Sequence, residues 1–227
     1  VEPTGEAFNA IVLDERNNRP FNPMVNSGAI AVTALVAGDD QVARERTVLD
    51  LLSDFAARPL DLDAAVYRSE LATGPRNRAI AYLMLNSGML AADPTAALDL
   101  YFRQCAVRVT CADLAMMAAT LANYGTNPST GKTVLDDETV RDVLTVMSTC
   151  GMYDYAGQWS YDVGLPAKSG VSGAILAVIP GQLGIAVYAP RLDRYGNSVR
   201  GVAACRRLSA DFGLHGLHVR WDAANVI

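Results

Sequence analysis

Residues 171–190, VSGAILAVIPGQLGIAVYAP, are two β-prone apolar runs joined at Pro180-Gly181. A proline-glycine pair between two such runs predicts a tight turn and therefore an antiparallel hairpin. Upstream of it the chain reads as helix as far as Cys150, and an amphipathic helix is expected again over about 200–212. A small antiparallel sheet set among helices buries its apolar faces only by taking helices against them, so the expected class is α+β. The stretch 156–170, AGQWSYDVGLPAKSG, holds too many turn formers for a helix and should lead into a third strand. The organisation expected is one domain over 1–227, mostly helical over 1–150, with the strands and the C-terminal helix over 151–227.

Within the helical block the start and stop signals are local. Asn22-Pro23 opens NPMVNSGAIAVTALVAG, with Asn22 as N-cap and Pro23 in the first helical position, and its small apolar residues place it against the core. Residues 41–58 set Val48, Leu52 and Phe55 on one stripe with charge opposite. The acidic run Asp39, Asp40, Glu45, Asp50, Asp54, Asp61 and Asp63 reads as a solvated face. Asp63 is expected to cap a short helix that stops at Gly74-Pro75, where Pro75 begins the next, so Glu70 and Asn77 converge only across that corner. Thr110 and Asp113 form an approximate capping box ahead of a helix ended by Gly125, and a further helix is expected from about Asp137 to Cys150.

Composition removes several function classes. Against 24 acidic residues stand 19 basic ones, a net charge of −5, which gives no electropositive footprint for nucleic acid or an anionic membrane. No run reaches the roughly 18 apolar residues of a membrane span. Cys105, Cys111, Cys150 and Cys205 have neither a C-x-x-C pattern nor metal-ligand spacing, and are expected to be buried thiols in a reducing cytoplasm. No metal ion and no cofactor is called for. GTNPSTGKT, from Gly125 to Thr133, has five residues between its glycines where a phosphate cradle needs four, and it follows a helix instead of a strand. Ser129 and Lys132 match S-x-x-K, but in a Pro/Gly loop that spacing does not place an amine beside a hydroxyl. His215 and His218 lack a third ligand, and Gly216 breaks any helix between them.

What survives is a set of polar groups in apolar settings. Asn26 is either bonded within its own helix or turn, or meets a ligand, since a buried amide left unpaired is costly. Glu70 follows an apolar helix face and either pairs with Arg68 or Arg76 or faces a ligand. Tyr153 lies beyond a helix terminus, and a phenol near a cation shuttles protons only if its pKa is lowered. Lys168-Ser169-Gly170 precedes a β-prone run, the strand-borne K-S/T-G arrangement of serine penicillin-binding proteins and β-lactamases, with glycine allowing close backbone approach to a ligand.

The blocks FNPMVNSGAI (21–30), YRSELATGPRNRAIAYLMLNSG (67–88), YFRQCAVRVTCADLAMMAATLANYGTNP (101–128), CGMYDYAGQW (150–159) and GLPAKSGVSGAI (164–175) resemble the serine-dependent glutaminase family in unbroken order. The resemblance implies a β-lactamase/penicillin-binding-protein-like fold, a helical block plus an antiparallel sheet, here lacking its N-terminal elements. It implies hydrolysis of L-glutamine to L-glutamate and ammonia through a serine acyl-enzyme. It carries the family's substrate-contacting positions onto Asn26, Glu70, Asn77, Tyr101, Tyr153 and the backbone of Val171, each occupied by the residue type the family uses. Tyr153 and Lys168 are the catalytic positions it implies within this chain. The family's nucleophile, the Ser of an S-x-x-K motif, is expected upstream of Val1. A homo-oligomer, dimer or tetramer, is implied as well. The alternative is a catalytically inactive binding or assembly module on the same scaffold. A β-lactamase-type hydrolase would need an S-D-N-like element, which the chain does not contain.

Overall fold

A computed structural model describes residues 7–218. Among them the strands β1 (Ala167–Ser169), β2 (Ala174–Ile179) and β3 (Leu183–Tyr188) form one antiparallel sheet in the order β1-β2-β3. Pairing of Ile179 with Leu183 closes the hairpin around Pro180-Gly181, as the sequence predicts. Side chains alternate across β2, and each of its faces finds a different cover. Ile175, Ala177 and Ile179 pack with Trp159, Val163, Val202 and Cys205, bringing in the C-terminal helix α9 (Val199–Phe212). Val178 faces the other way and joins Ala118, Leu121, Val140 and Met147. Those residues belong to α6 (Cys111–Ala122) and α7 (Asp137–Cys150). A Cβ at Gly184 would stand 2.3 Å from the Ala119 nitrogen, so α6 lies directly on β3 only because that residue is glycine.

The remaining helices are α1 (Asn26–Thr33), α2 (Gln41–Ala56), α3 (Ala64–Thr73), α4 (Pro75–Asn86), α5 (Thr95–Cys105) and α8 (Ala156–Asp162), the last preceded by a 3-10 turn at Tyr153–Tyr155. A second core joins Ile30 of α1, Ile80 and Met84 of α4, and Leu98 and Phe102 of α5. The caps fall where local chemistry put them. Asp63 Oδ1 accepts from the Ala65 and Val66 amides, and α3 gives way to α4 at Gly74-Pro75.

Four expectations need correction. Asn22 does not cap a helix beginning at Pro23: its Oδ1 accepts from the Met24 and Val25 amides in a turn, and α1 starts at Asn26. Residues 156–162 are helical after all, because Trp159 is 1% exposed and anchored by its Nε1–H bond to Leu165 O at 2.7 Å, which outweighs a weak local preference. The acidic run is not uniformly solvated, since Glu45 and Asp54 are half-buried against Arg103 and Lys132, while Asp61 stays exposed in its pair with Arg108. All four cysteines are free thiols, but only Cys150 and Cys205 are buried, while Cys105 and Cys111 are exposed. Among the described residues no helix is long and apolar enough to cross a membrane, and no group of acidic, His and Cys side chains is placed to hold a metal ion.

The capping box closes with one addition. The Asp113 carboxylate accepts from the Thr110 amide at 2.7 Å and also from Arg58 through Nε at 2.7 Å and Nη2 at 2.6 Å, tying the end of α2 to the start of α6. The Arg58 bond, with the Thr110 bonds, outweighs burial and holds this carboxyl well below the usual carboxylate range. Asp113→Ala is therefore expected to cost about 2 kcal/mol in a urea melt, a cap plus a buried charge-assisted bond. A depressed carboxyl stabilises the fold fully above its unfolded pKa of about 4 and progressively less as pH falls below it. Wild-type stability should consequently decline below about pH 4 more steeply than that of the variant.

Candidate active site

β1 is an edge strand of the described sheet, and α7 ends against it. A Cβ on Gly151 would lie 1.8 Å from Ala167 O, and the Ser169 amide donates to Gly151 O at 3.0 Å. Glycine at the helix end thus brings the following residues onto the strand. Tyr153 comes next, at φ 60°, in the left-handed region that non-glycine residues seldom adopt. Its ring is 3% exposed, and its hydroxyl donates to Ser169 O at 2.8 Å.

Lys168 projects from the opposite side of β1 to Ala167 and Ser169. Its Nζ donates to Ser169 O, lies 3.4 Å from the Tyr153 hydroxyl and stands 4.5 Å from the Tyr153 ring centroid. Among the described residues it has no carboxylate partner. Burial pushes its pKa down to about 8, with the Cys150 thiol opposing. Burial also pushes the Tyr153 phenol up to about 12. The lowered phenol pKa that the sequence reading required of a shuttle is therefore absent: the hydroxyl keeps its proton, and passing one on would require it to accept another in the same step.

Past Gly170 the chain turns back into β2, with the Gly170 amide donating to Ala174 O and Gly173 to Gly170 O, each at 2.9 Å. Val171, at the head of this turn, is 49% exposed, and its amide is unbonded within the described residues. An amide free at the turn that follows β1 is a donor available to a developing negative charge.

A second group forms on the helical side. Asn26, first in α1, donates from Nδ2 to Asn77 Oδ1 at 2.9 Å, joining α1 to α4. Tyr101 of α5 is 9% exposed, and burial holds its hydroxyl protonated, with the Cys105 thiol, Glu70 and Tyr153 all acting in the same direction. Glu70 and Tyr153 therefore both act electrostatically on Tyr101. Glu70 is half-buried and pairs with neither Arg68 nor Arg76, while Arg76 donates to Asn9 O at 3.0 Å.

The reading of the sequence passed over three neighbours. Phe8 accepts from the Asn26 amide through its carbonyl at 3.0 Å and sets its ring 5.4 Å from that of Tyr153, so it bridges both groups. Asn197, fully buried, donates to Met152 O at 3.4 Å, next to the left-handed residue. Cys105 lies one turn beyond Tyr101, close enough for each to shift the other's pKa. No periodicity or motif marks any of them: Phe8 and Asn197 act through contacts remote in the chain, and Cys105 is a lone thiol beside Tyr101. Ser129 and Lys132 are far from this chemistry: the Ser129 amide is bonded to Asn127 and Lys132 is paired with Asp54 at 2.6 Å. The open cleft of about 600 Å³ that Lys132 helps to line contains none of the site residues.

A protein-family model described as Glutaminase matches residues 1–216. The chain is 56% identical over 215 residues to a glutaminase of Trichormus variabilis, covering 95% of this chain and 64% of that protein. It is also 56% identical over 222 residues to glutaminase 2 of Bradyrhizobium diazoefficiens, covering 98% and 35%. Among solved structures it is similar to Mglu in its native form, with a TM-score of 0.90, 43% identity, and coverage of 96% of this chain and 54% of that one. A Bacillus glutaminase gives a TM-score of 0.90 at 34% identity, covering 96% and 75%. The chain thus spans less than two thirds of the length of the Trichormus protein.

Proposed function

This chain belongs to the glutaminase family, and we propose from that premise that the full-length protein hydrolyses L-glutamine to L-glutamate and ammonia. The observation that supports the proposal is that Phe8 bridges the two groups, its carbonyl bonded to Asn26 of the Asn26–Asn77 pair and its ring against Tyr153, which is itself bonded by Lys168.

Glutamine presents an α-ammonium, an α-carboxylate and a side-chain amide, and selecting it means satisfying all three. Glu70, half-buried and without an ion-pair partner among the described residues, is suited to the ammonium, and a charge-assisted bond of this kind contributes about 1.5 to 3 kcal/mol. Asn26, Asn77 and Tyr101 offer neutral donors and acceptors to the carboxylate and amide ends. The nucleophile is the Ser of the family's S-x-x-K pair, upstream of Val1, with its Lys as base. Its oxygen attacks the amide carbon, and the oxyanion forms against the Val171 amide. Tyr153 then hands its proton to the departing nitrogen and is resupplied from the Ser/Lys side, while Lys168 holds positive potential beside it. The C–N bond breaks, ammonia leaves, and water hydrolyses the γ-glutamyl ester to glutamate and free serine. Homo-oligomerisation, as dimer or tetramer, and a cytoplasmic setting belong to the same proposal, and the first is checked by analytical ultracentrifugation.

The full-length protein should release ammonia from L-glutamine with a kcat/KM at least about tenfold above that for L-asparagine, since one methylene alone is worth 10- to 200-fold in a fitted pocket. A coupled ammonia assay reads both. Equal values would remove the substrate assignment, and no release from either would favour an inactive module.

A further inference from the structure

α3 carries Glu70, yet none of its residues is fully buried. Most helices in proteins are held by an apolar face, so this one depends on directional contacts. Its start is fixed where the Asp63 amide donates to Ala106 O at 2.8 Å. Its middle is fixed by Tyr67, whose hydroxyl donates to Asp99 Oδ1 on α5. The other Asp99 oxygen accepts from Arg103 Nε at 2.8 Å and from Gln41 Nε2 at 3.1 Å. Arg103 Nη1 reaches Glu45 of α2 at 2.9 Å, and its guanidinium carbon lies 4.6 Å from the Tyr67 ring centroid.

This network differs from a solvated surface pair. The side chains of Arg103, Glu45 and Asp99 are 27%, 24% and 24% exposed, and every acidic oxygen of Asp99 is bonded. Burial alone would raise the Asp99 carboxyl, but the bonds from Tyr67, Arg103 and Gln41 hold it below its usual value. Glu70 stands one turn beyond Tyr67 on the same helix, and Arg103 two residues beyond Tyr101 on α5. The same network therefore grips both the helix that carries Glu70 and the helix that carries Tyr101.

We infer that Tyr67, Asp99 and Arg103 are positioning residues that set where the Glu70 carboxylate stands against Tyr101, and so govern the preference for a substrate bearing an α-ammonium. The inference rests on the reading of Glu70 as the ammonium's partner. Its signature is a loss confined to substrates that carry that group.

The test uses the full-length protein and two substrates, L-glutamine and glutaramic acid, the same amide and carboxylate without the ammonium. Tyr67→Phe and Arg103→Met are each expected to lower kcat/KM for L-glutamine about tenfold, chiefly through KM, while glutaramic acid stays within about twofold. Arg103→Lys, which keeps a cation for Asp99 and Glu45, should recover part of the preference. Tyr67→Phe retains the ring beneath the guanidinium, so it tests the bond even where Arg103→Met folds poorly. A purely structural network lowers the melting temperature and scales both substrates alike, and that result overturns the inference. If Glu70→Gln collapses the preference while Tyr67→Phe and Arg103→Met preserve it, the positioning role falls and the reading of Glu70 stands. If Glu70→Gln leaves the preference intact, the reading of Glu70 falls and this inference with it.

Discussion

Tyr153→Phe in the full-length protein is expected to lower kcat by at least about 100-fold while glutamine binding and folding are nearly preserved. The variant keeps the ring, and with it the 5.4 Å contact to Phe8 and the face presented to the Lys168 ammonium. What disappears is one hydroxyl, bonded to Ser169 O and 3.4 Å from Lys168 Nζ. With its pKa pushed up to about 12 by burial, that hydroxyl is neutral at working pH. On the proposed mechanism it gives one proton and takes another as the C–N bond breaks, an interaction made mainly in the transition state. A structural tyrosine predicts the reverse, a loss of about 1 kcal/mol from an unmade buried bond and ordinary turnover. Measuring kcat, glutamine Kd and melting temperature side by side separates the two, and near-normal kcat removes Tyr153 from the reaction.

The left-handed backbone at Tyr153 shows where sequence reasoning runs out. Punctuation that acts on its immediate neighbours was legible: Asp63 capping α3, the Gly74-Pro75 corner, the Thr110–Asp113 box and the Pro180-Gly181 turn all depend on residues within a few positions of each other. Asn22 misled because asparagine satisfies amides in a turn as readily as at a helix start, and its Oδ1 is taken by Met24 and Val25. Residues 156–162 misled because their conformation is decided by contacts of Trp159 beyond the segment, its burial in the core and its bond to Leu165 O.

The candidate site was named through resemblance more than through pattern. Lys168 and Tyr153 are 15 positions apart and meet because Gly151 lets α7 close on β1, while Asn26 and Asn77 meet across 51 positions through the packing of α1 on α4. No spacing rule encodes either juxtaposition. The Tyr67–Asp99–Arg103 network was equally silent, because its members look like ordinary surface charges until α2, α3 and α5 are brought together.

Lys168→Met should raise the melting temperature while lowering kcat about 100-fold. Methionine matches the length of the lysine stem and is at home in a buried setting. Lysine is not: its ammonium is buried with a carbonyl, a phenol and a ring face for company and no anion among the described residues. The sign follows from linkage. Burial brings the folded pKa down to about 8 from an ordinary value near 10.5, so holding the charged form costs the fold at every pH below 8. A displacement of that size corresponds to a cost on the order of 3 kcal/mol at pH 7, relieved as pH rises from about 8 to 10.5. Wild type should therefore gain stability relative to the variant across that window, and activity should fall around pH 8 as the folded protein's ammonium loses its proton. Thermal melts at pH 7 and pH 10, run beside kcat, check both halves. A variant that is less stable and fully active would show that Lys168 is a packing residue. A variant that is more stable and slow would show the fold carrying a destabilising charge because the chemistry beside Tyr153 uses it.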